Sequence, residues 1–74
     1  MKITGTKSYV DIEINGRTAR FGGDLGIDGF YASIKTMRWL PPHDQLTVTT
    51  EERNALIEAV LKESEGRDFK IFFV

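Results

Sequence analysis

Tyr9-Val10-Asp11-Ile12-Glu13-Ile14-Asn15-Gly16-Arg17-Thr18-Ala19-Arg20-Phe21 is the stretch that decides the fold. Asn-Gly accepts positive φ at both central positions of a two-residue type I′ turn, the turn whose twist matches a hairpin. Folding the two runs about Asn15-Gly16 sets Ile12 against Ala19 and Val10 against Phe21 on one face. It sets Asp11 against Arg20 and Glu13 against Thr18 on the other. One face is then apolar, and the other is polar with an opposite-charge cross-strand pair. A slip of one residue would send the apolar set to the polar side, so the pattern itself specifies the register. Residues 2–6 are expected to add to the start of the first strand.

Downstream, Gly22-Gly23-Asp24-Leu25-Gly26-Ile27-Asp28-Gly29 holds four glycines in eight residues and reads as a loop. Phe30-Tyr31-Ala32-Ser33-Ile34-Lys35 alternates again, with Phe30, Ala32 and Ile34 on one face. Met37 to Leu40 either extends that strand or forms a separate one after a bulge, and Pro41-Pro42 stops it. His43-Asp44-Gln45 is a predicted turn and Leu46-Thr47-Val48 a short extended piece. Thr49, with Glu52 three residues on, is a capping box for a helix, and Glu51 and Glu52 suit its positive end. Leu56, Ile57, Val60 and Leu61 form a stripe at helical spacing, and Gly66 is a natural stop. Asp68 to Val74 returns as a strand, with Phe69, Ile71 and Phe73 alternating with Lys70 and Phe72. The order β-β-β-(β)-α-β predicts an α+β fold: an antiparallel sheet of about four or five strands with one helix packed on one face.

Residues 1–74 form a single domain, because so short a chain supports one thin core and leaves little room for a deep pocket. Apolar residues make up 41% and charged residues 28%, which suits a folded chain and excludes a disordered one. There is no cysteine, and small secreted domains usually need disulfides, so a cytoplasmic location is expected. The N-terminus carries no apolar leader, and no run approaches a membrane span, so no membrane partner is expected. Net charge is -1. Residues 1–48 hold six Lys/Arg and five Asp/Glu, and residues 49–74 hold four and six. A nucleic-acid binder normally has a basic excess, because phosphate contacts dominate its affinity, and none is present.

Candidate catalytic and metal constellations fail one by one. The glycine run contains no G-x-G-x-x-G and leads into a strand, so it does not match a phosphate cradle. Counting from Asp24, the third position is Gly26 and the twelfth is Lys35, which fails a calcium loop. His43 is the single histidine, and zinc needs several His or Cys ligands. No nucleophile frame surrounds Ser8, Ser33 or Ser64. Glu51 and Glu52 point about 100° apart on a helix, so they do not converge. No enzyme activity and no cofactor are implied; the chain is expected to act by binding.

Met37-Arg38-Trp39-Leu40-Pro41-Pro42-His43-Asp44 is the richest segment for that purpose. Trp, Arg and Tyr dominate binding hot spots, so Arg38, Trp39 and His43, with Tyr31 on the open sheet, are the candidate contacts. Trp39 equally suits a plug at the end of a small core, and the two roles are compatible. Glu51 and Glu58 on the helix are candidate contacts for a basic partner, since acidic surfaces steer cations.

The succession of an Asn-Gly hairpin, an aromatic strand, Trp39-Leu40-Pro41-Pro42-His43-Asp44, a Thr49-Thr50-Glu51-Glu52 helix start, Ala55 to Leu61 and Phe69-Lys70-Ile71-Phe72-Phe73 resembles the immunity protein 74 family of bacterial polymorphic toxin systems. The resemblance covers nearly the whole chain. It implies a small α+β protein that binds and neutralises a cognate toxin domain encoded beside it. It carries no catalytic residues over.

Two other readings compete. In the first, Tyr31, Phe72 and Arg38 on an open sheet stack bases as a small nucleic-acid-binding module, against which stands the missing basic excess. In the second, the apolar final strand with Phe69, Phe72 and Phe73 lies at a sheet edge and pairs with a second copy, giving a homodimer or other structural assembly.

Overall fold

The computed structural model describes residues 1–67 and 70–74. Asn15 with φ 52° and Gly16 with φ 79° make the expected turn. On either side of it, β2 (Tyr9–Ile14) pairs with β3 (Arg17–Leu25) in the predicted register: Val10 with Phe21, Asp11 with Arg20, Ile12 with Ala19 and Glu13 with Thr18. The N-terminal residues do not lengthen β2. They form a strand of their own, β1 (Lys2–Gly5), antiparallel to β2. A turn over Thr6–Tyr9 separates the two. In it the Thr6 hydroxyl accepts from the Ser8 and Tyr9 N–H groups at 3.1 and 3.3 Å.

The glycine run is not a loop throughout. β3 continues through Gly22, Gly23 and Asp24 to Leu25 and pairs there with β4 (Gly29–Ala32). The glycines serve close approach: a Cβ on Gly23 would collide with the Tyr31 carbonyl, and one on Gly29 with the Lys70 carbonyl. Gly29 also has φ 154°, a conformation that L side chains rarely adopt.

Strand character does not last to Lys35. The chain breaks into one turn of 3₁₀ helix, Ile34–Thr36, and resumes as β5 (Arg38–Trp39). β5 pairs with β3 through Ala19–Trp39 and Arg20–Arg38. In the interruption the Thr36 hydroxyl accepts from the Gly22 N–H at 2.8 Å, so the ladder loses no partner there. After the diproline, residues 46–48 form no strand, although Val48 packs against the core.

Helix α1 (Thr50–Ser64) has the capping box in full: the Thr49 hydroxyl accepts from the Glu52 N–H, and the Glu52 carboxylate accepts from the Thr49 N–H. Leu56 and Val60 are buried, and Ile57 packs beside them. Leu61, predicted in the same stripe, is 48% exposed; Ser64 takes the next inward position and donates to the Leu61 carbonyl at 3.2 Å. Gly66, with φ 83°, follows the helix as expected.

The last strand, β6 (Lys70–Phe73), lies beside β4 and parallel to it. The prediction of a wholly antiparallel sheet is corrected here. A helix connecting two neighbouring strands of one sheet is the crossover that parallel pairing requires. Residues 68 and 69 lie outside the described residues, so the predicted inward place of Phe69 does too. The sheet order is β1-β2-β3-β4-β6, with β5 also on β3, and the fold is α+β. The core lies between the sheet and α1, around Ile12, Phe21, Phe30, Trp39, Val60 and Ile71. Phe73 meets Phe21 edge to face at 5.1 Å.

Candidate binding surfaces

Strand alternation gives the sheet a second face, away from the helix. It carries Tyr9, Asp11, Arg20, Tyr31, Arg38 and Phe72, each next in sequence to a buried residue of the core. Arg20 donates twice to Asp11, Nε to Oδ1 at 2.8 Å and Nη2 to Oδ2 at 2.9 Å. Its guanidinium lies 3.7 Å from the centre of the Tyr9 ring. The Asp11 hydrogen bonds hold the Arg20 proton above its ordinary affinity, opposed by partial desolvation and helped by the charges of Asp11 and Tyr9. Arg38 stands opposite Arg20 in the register and is exposed. It forms no ion pair among the described residues. Across β4 and β6, Tyr31 stacks on Phe72 with ring centres 5.1 Å apart and planes 24° apart. This face therefore offers two aromatic groups held by their neighbours, and Arg38, Lys2 and Lys70 as cations that form no ion pair among the described residues.

The opposite side presents the helix, where Glu51, Glu58 and Glu65 are exposed with Leu61 among them. Between the first turn of α1 and the hairpin turn lies a cleft of about 390 Å³, lined by Ile14, Asn15, Arg17, Trp39, Glu52, Ala55 and Leu56. Arg17 reaches Glu52 at 3.4 Å, and its guanidinium is 5.5 Å from the centre of the Trp39 ring. The Trp39 indole N–H is buried and has no acceptor among the described residues; the same holds for Arg53 Nε. A second cavity, about 420 Å³, lies between β1, the β3–β4 turn and the end of α1. It is bordered by Arg67, next to the undescribed residues 68 and 69. No group of three or more metal-ligating side chains occurs among the described residues.

A family model described as Immunity protein 74 matches residues 2–74. The chain belongs to the immunity protein 74 family. The resemblance carried by the hairpin, the Trp39 to Pro42 stretch and the capped helix is therefore correct, and a toxin is the kind of partner that the family name implies. No curated protein matches this immunity protein 74 chain, and no solved structure does. No helix among its described residues is long and apolar enough to cross a membrane.

In this immunity protein 74 chain the six candidate contacts do not form one patch. Arg38 and Tyr31 share the outer sheet face. Trp39 points the other way and is 6% exposed, so it belongs to the core and to the cleft wall. His43 is half-buried in the turn after the diproline, its N–H donating to the Leu40 carbonyl at 3.0 Å. Glu51 and Glu58 lie on the exposed side of α1, across the core from Arg38. Tyr9 was missed as a member of the outer face, although its alternation with Val10 was a usable signal. Arg17 was missed because its neighbours Trp39 and Glu52 come from distant elements. Of the apolar residues that suggested pairing with a second copy, Phe73 packs on Phe21 and Phe72 stacks on Tyr31 within the chain.

Proposed function

We propose that this member of the immunity protein 74 family neutralises a cognate toxin domain by stoichiometric binding in the cytoplasm, with no catalytic step of its own. We further propose the outer sheet face as its contact surface. The observation that carries this reading is Arg38, exposed and in no ion pair among the described residues, on the same face as two aromatic groups already held in place: Tyr9 under Arg20, and Tyr31 on Phe72. Rigid aromatics lose little conformational entropy on binding, and Arg brings a fan of donors. A standard interface takes roughly 800 Å² from each partner. The whole chain exposes 5083 Å², so such an interface occupies a sizeable part of one side and covers the toxin's own groove by bulk. Glu51 and Glu58 are proposed as long-range attraction for a basic toxin, with little contact energy of their own.

The test is capture from the native host with the tagged parent, the Arg38→Glu variant and a Glu51→Lys/Glu58→Lys variant. The expected result is a toxin-domain protein that binds the parent at equal stoichiometry and loses its activity in the complex. Arg38→Glu should lose it while melting like the parent, and the helix variant should keep it. Recovery of nucleic acid alone, or of the chain paired only with itself, would remove the toxin reading.

A further inference from the structure

We propose that the cleft between the hairpin turn and the first turn of α1 is a second binding site, which receives a glutamate side chain from a partner protein. Trp39 forms one wall and is 6% exposed, yet its indole N–H has no acceptor among the described residues. Buried donors are nearly always satisfied, and one left without a partner costs free energy that an incoming acceptor recovers. Arg17 stands beside it with five donors, of which only Nη1 is engaged among the described residues, at 3.4 Å, the loose end of the hydrogen-bonding range. The cleft's own carboxylate is already used: Glu52 Oε1 accepts from the Thr49 N–H and Oε2 from Arg17. Donors are thus left over where the charged acceptor is spent, and a second carboxylate completes the set. Ile14, Ala55 and Leu56 supply an apolar lining for the two methylenes of a glutamate.

Access to the buried indole N–H requires a neighbouring side chain to move, and Arg17 is free to do so: its guanidinium is 5.5 Å from the centre of the Trp39 ring, its side chain is 40% exposed, and among the described residues one long contact holds it. Exposed side chains change rotamer within nanoseconds. A lysine entering the same cleft would bring only donors to a surplus of donors, so the site discriminates by hydrogen-bond chemistry.

The inference deepens the immunity reading only in naming the partner's chemistry; the cleft can be tested without a toxin. Trp39 is the single tryptophan, so its indole ¹H–¹⁵N resonance is unambiguous and reports on the cleft wall. The whole chain is titrated with acetyl-Gly-Glu-Gly-amide and, separately, with acetyl-Gly-Lys-Gly-amide. The expected result is a saturable downfield movement of the indole resonance with the glutamate peptide. The lysine peptide should bind at least tenfold more weakly, and Arg17→Gln should weaken the glutamate peptide several-fold without altering the rest of the spectrum. No saturable movement, equal response to both peptides, or an Arg17→Gln variant that binds as the parent does would each overturn the site. Glutamate binding here with no toxin recovered by capture would leave the cleft standing and remove the toxin. A toxin that binds the outer face of a chain whose cleft ignores both peptides would do the reverse.

Discussion

The molecule contains the same three-part arrangement twice, an arginine beside an aromatic ring and a carboxylate, with opposite outcomes. On the outer face Arg20 lies 3.7 Å from the Tyr9 ring and holds Asp11 through two bonds of 2.8 and 2.9 Å. In the cleft Arg17 lies 5.5 Å from the Trp39 ring and holds Glu52 through one contact of 3.4 Å. The first set is closed, since Asp11 answers both arms of the Arg20 fork. The second is open, with an indole N–H and most of a guanidinium uncommitted among the described residues. The difference comes from geometry. Asp11 and Arg20 are direct cross-strand partners, so the backbone ladder sets their spacing. Glu52 and Arg17 come from a helix and a strand joined only by packing, and Glu52 is also committed to the Thr49 cap.

The largest expected effect separates the two aromatics. Trp39→Ala removes a buried wall of the core and should cost about 3–5 kcal/mol, read as a lower midpoint in urea unfolding. Tyr9→Ala, on the outer face, should cost a small fraction of that. Comparable losses at both sites would mean that Tyr9 is as much a core residue as Trp39. Next is Gly29→Ala, whose Cβ would meet the Lys70 carbonyl where β4 and β6 pair. Adding a side chain at a strained glycine should cost about 1–3 kcal/mol. Hydrogen exchange should show the loss concentrated in β6; uniform loss across the sheet would contradict the local clash.

A smaller effect tests the cleft's carboxylate. Thr49→Ala removes the cap and should cost about 1 kcal/mol. Because the same cap positions Glu52, the Trp39 resonance should move as well, and a change confined to α1 would dissociate the cap from the cleft. The smallest effect is that of Arg17→Gln on stability. Both partners of its ion pair are more than one-third exposed, and such pairs contribute about 0–1 kcal/mol, so its urea midpoint should match that of the parent. The closed set also has a predicted pH response. The Arg20 proton is held more tightly in the folded chain. Its contribution is therefore complete below the ordinary arginine range and is lost only as pH rises beyond it. Arg20 should add no pH dependence to stability around neutrality.

The hairpin and the helix start were legible in the sequence because each is specified by neighbours in the chain. Asn15-Gly16 sets its own turn, and Thr49 and Glu52 cap each other. The strand through Gly22 and Gly23 was not legible, because a glycine chosen to admit a carbonyl looks the same as one chosen for a loop. The parallel place of β6 was hidden because it depends on where the crossover through α1 returns the chain. At the candidate sites, Tyr31 was readable from its alternation with Phe30 and Ala32, and Arg38 only from its residue type. The burial of Trp39 depends on the pairing of β5 with β3, which no local pattern specifies. The cleft was not readable at all, since Arg17, Trp39 and Glu52 meet only through tertiary packing.

The outer sheet face is tested most directly as the toxin surface by a calorimetric titration of the captured toxin domain against the parent, Arg38→Glu and Glu51→Lys/Glu58→Lys. One-to-one binding to the parent is expected. Arg38→Glu should lose about 2 kcal/mol or more, roughly thirtyfold in affinity, with unchanged melting, and the helix variant should change only a few-fold. Full affinity in Arg38→Glu, with binding abolished in the helix variant, would contradict this and move the toxin surface to α1.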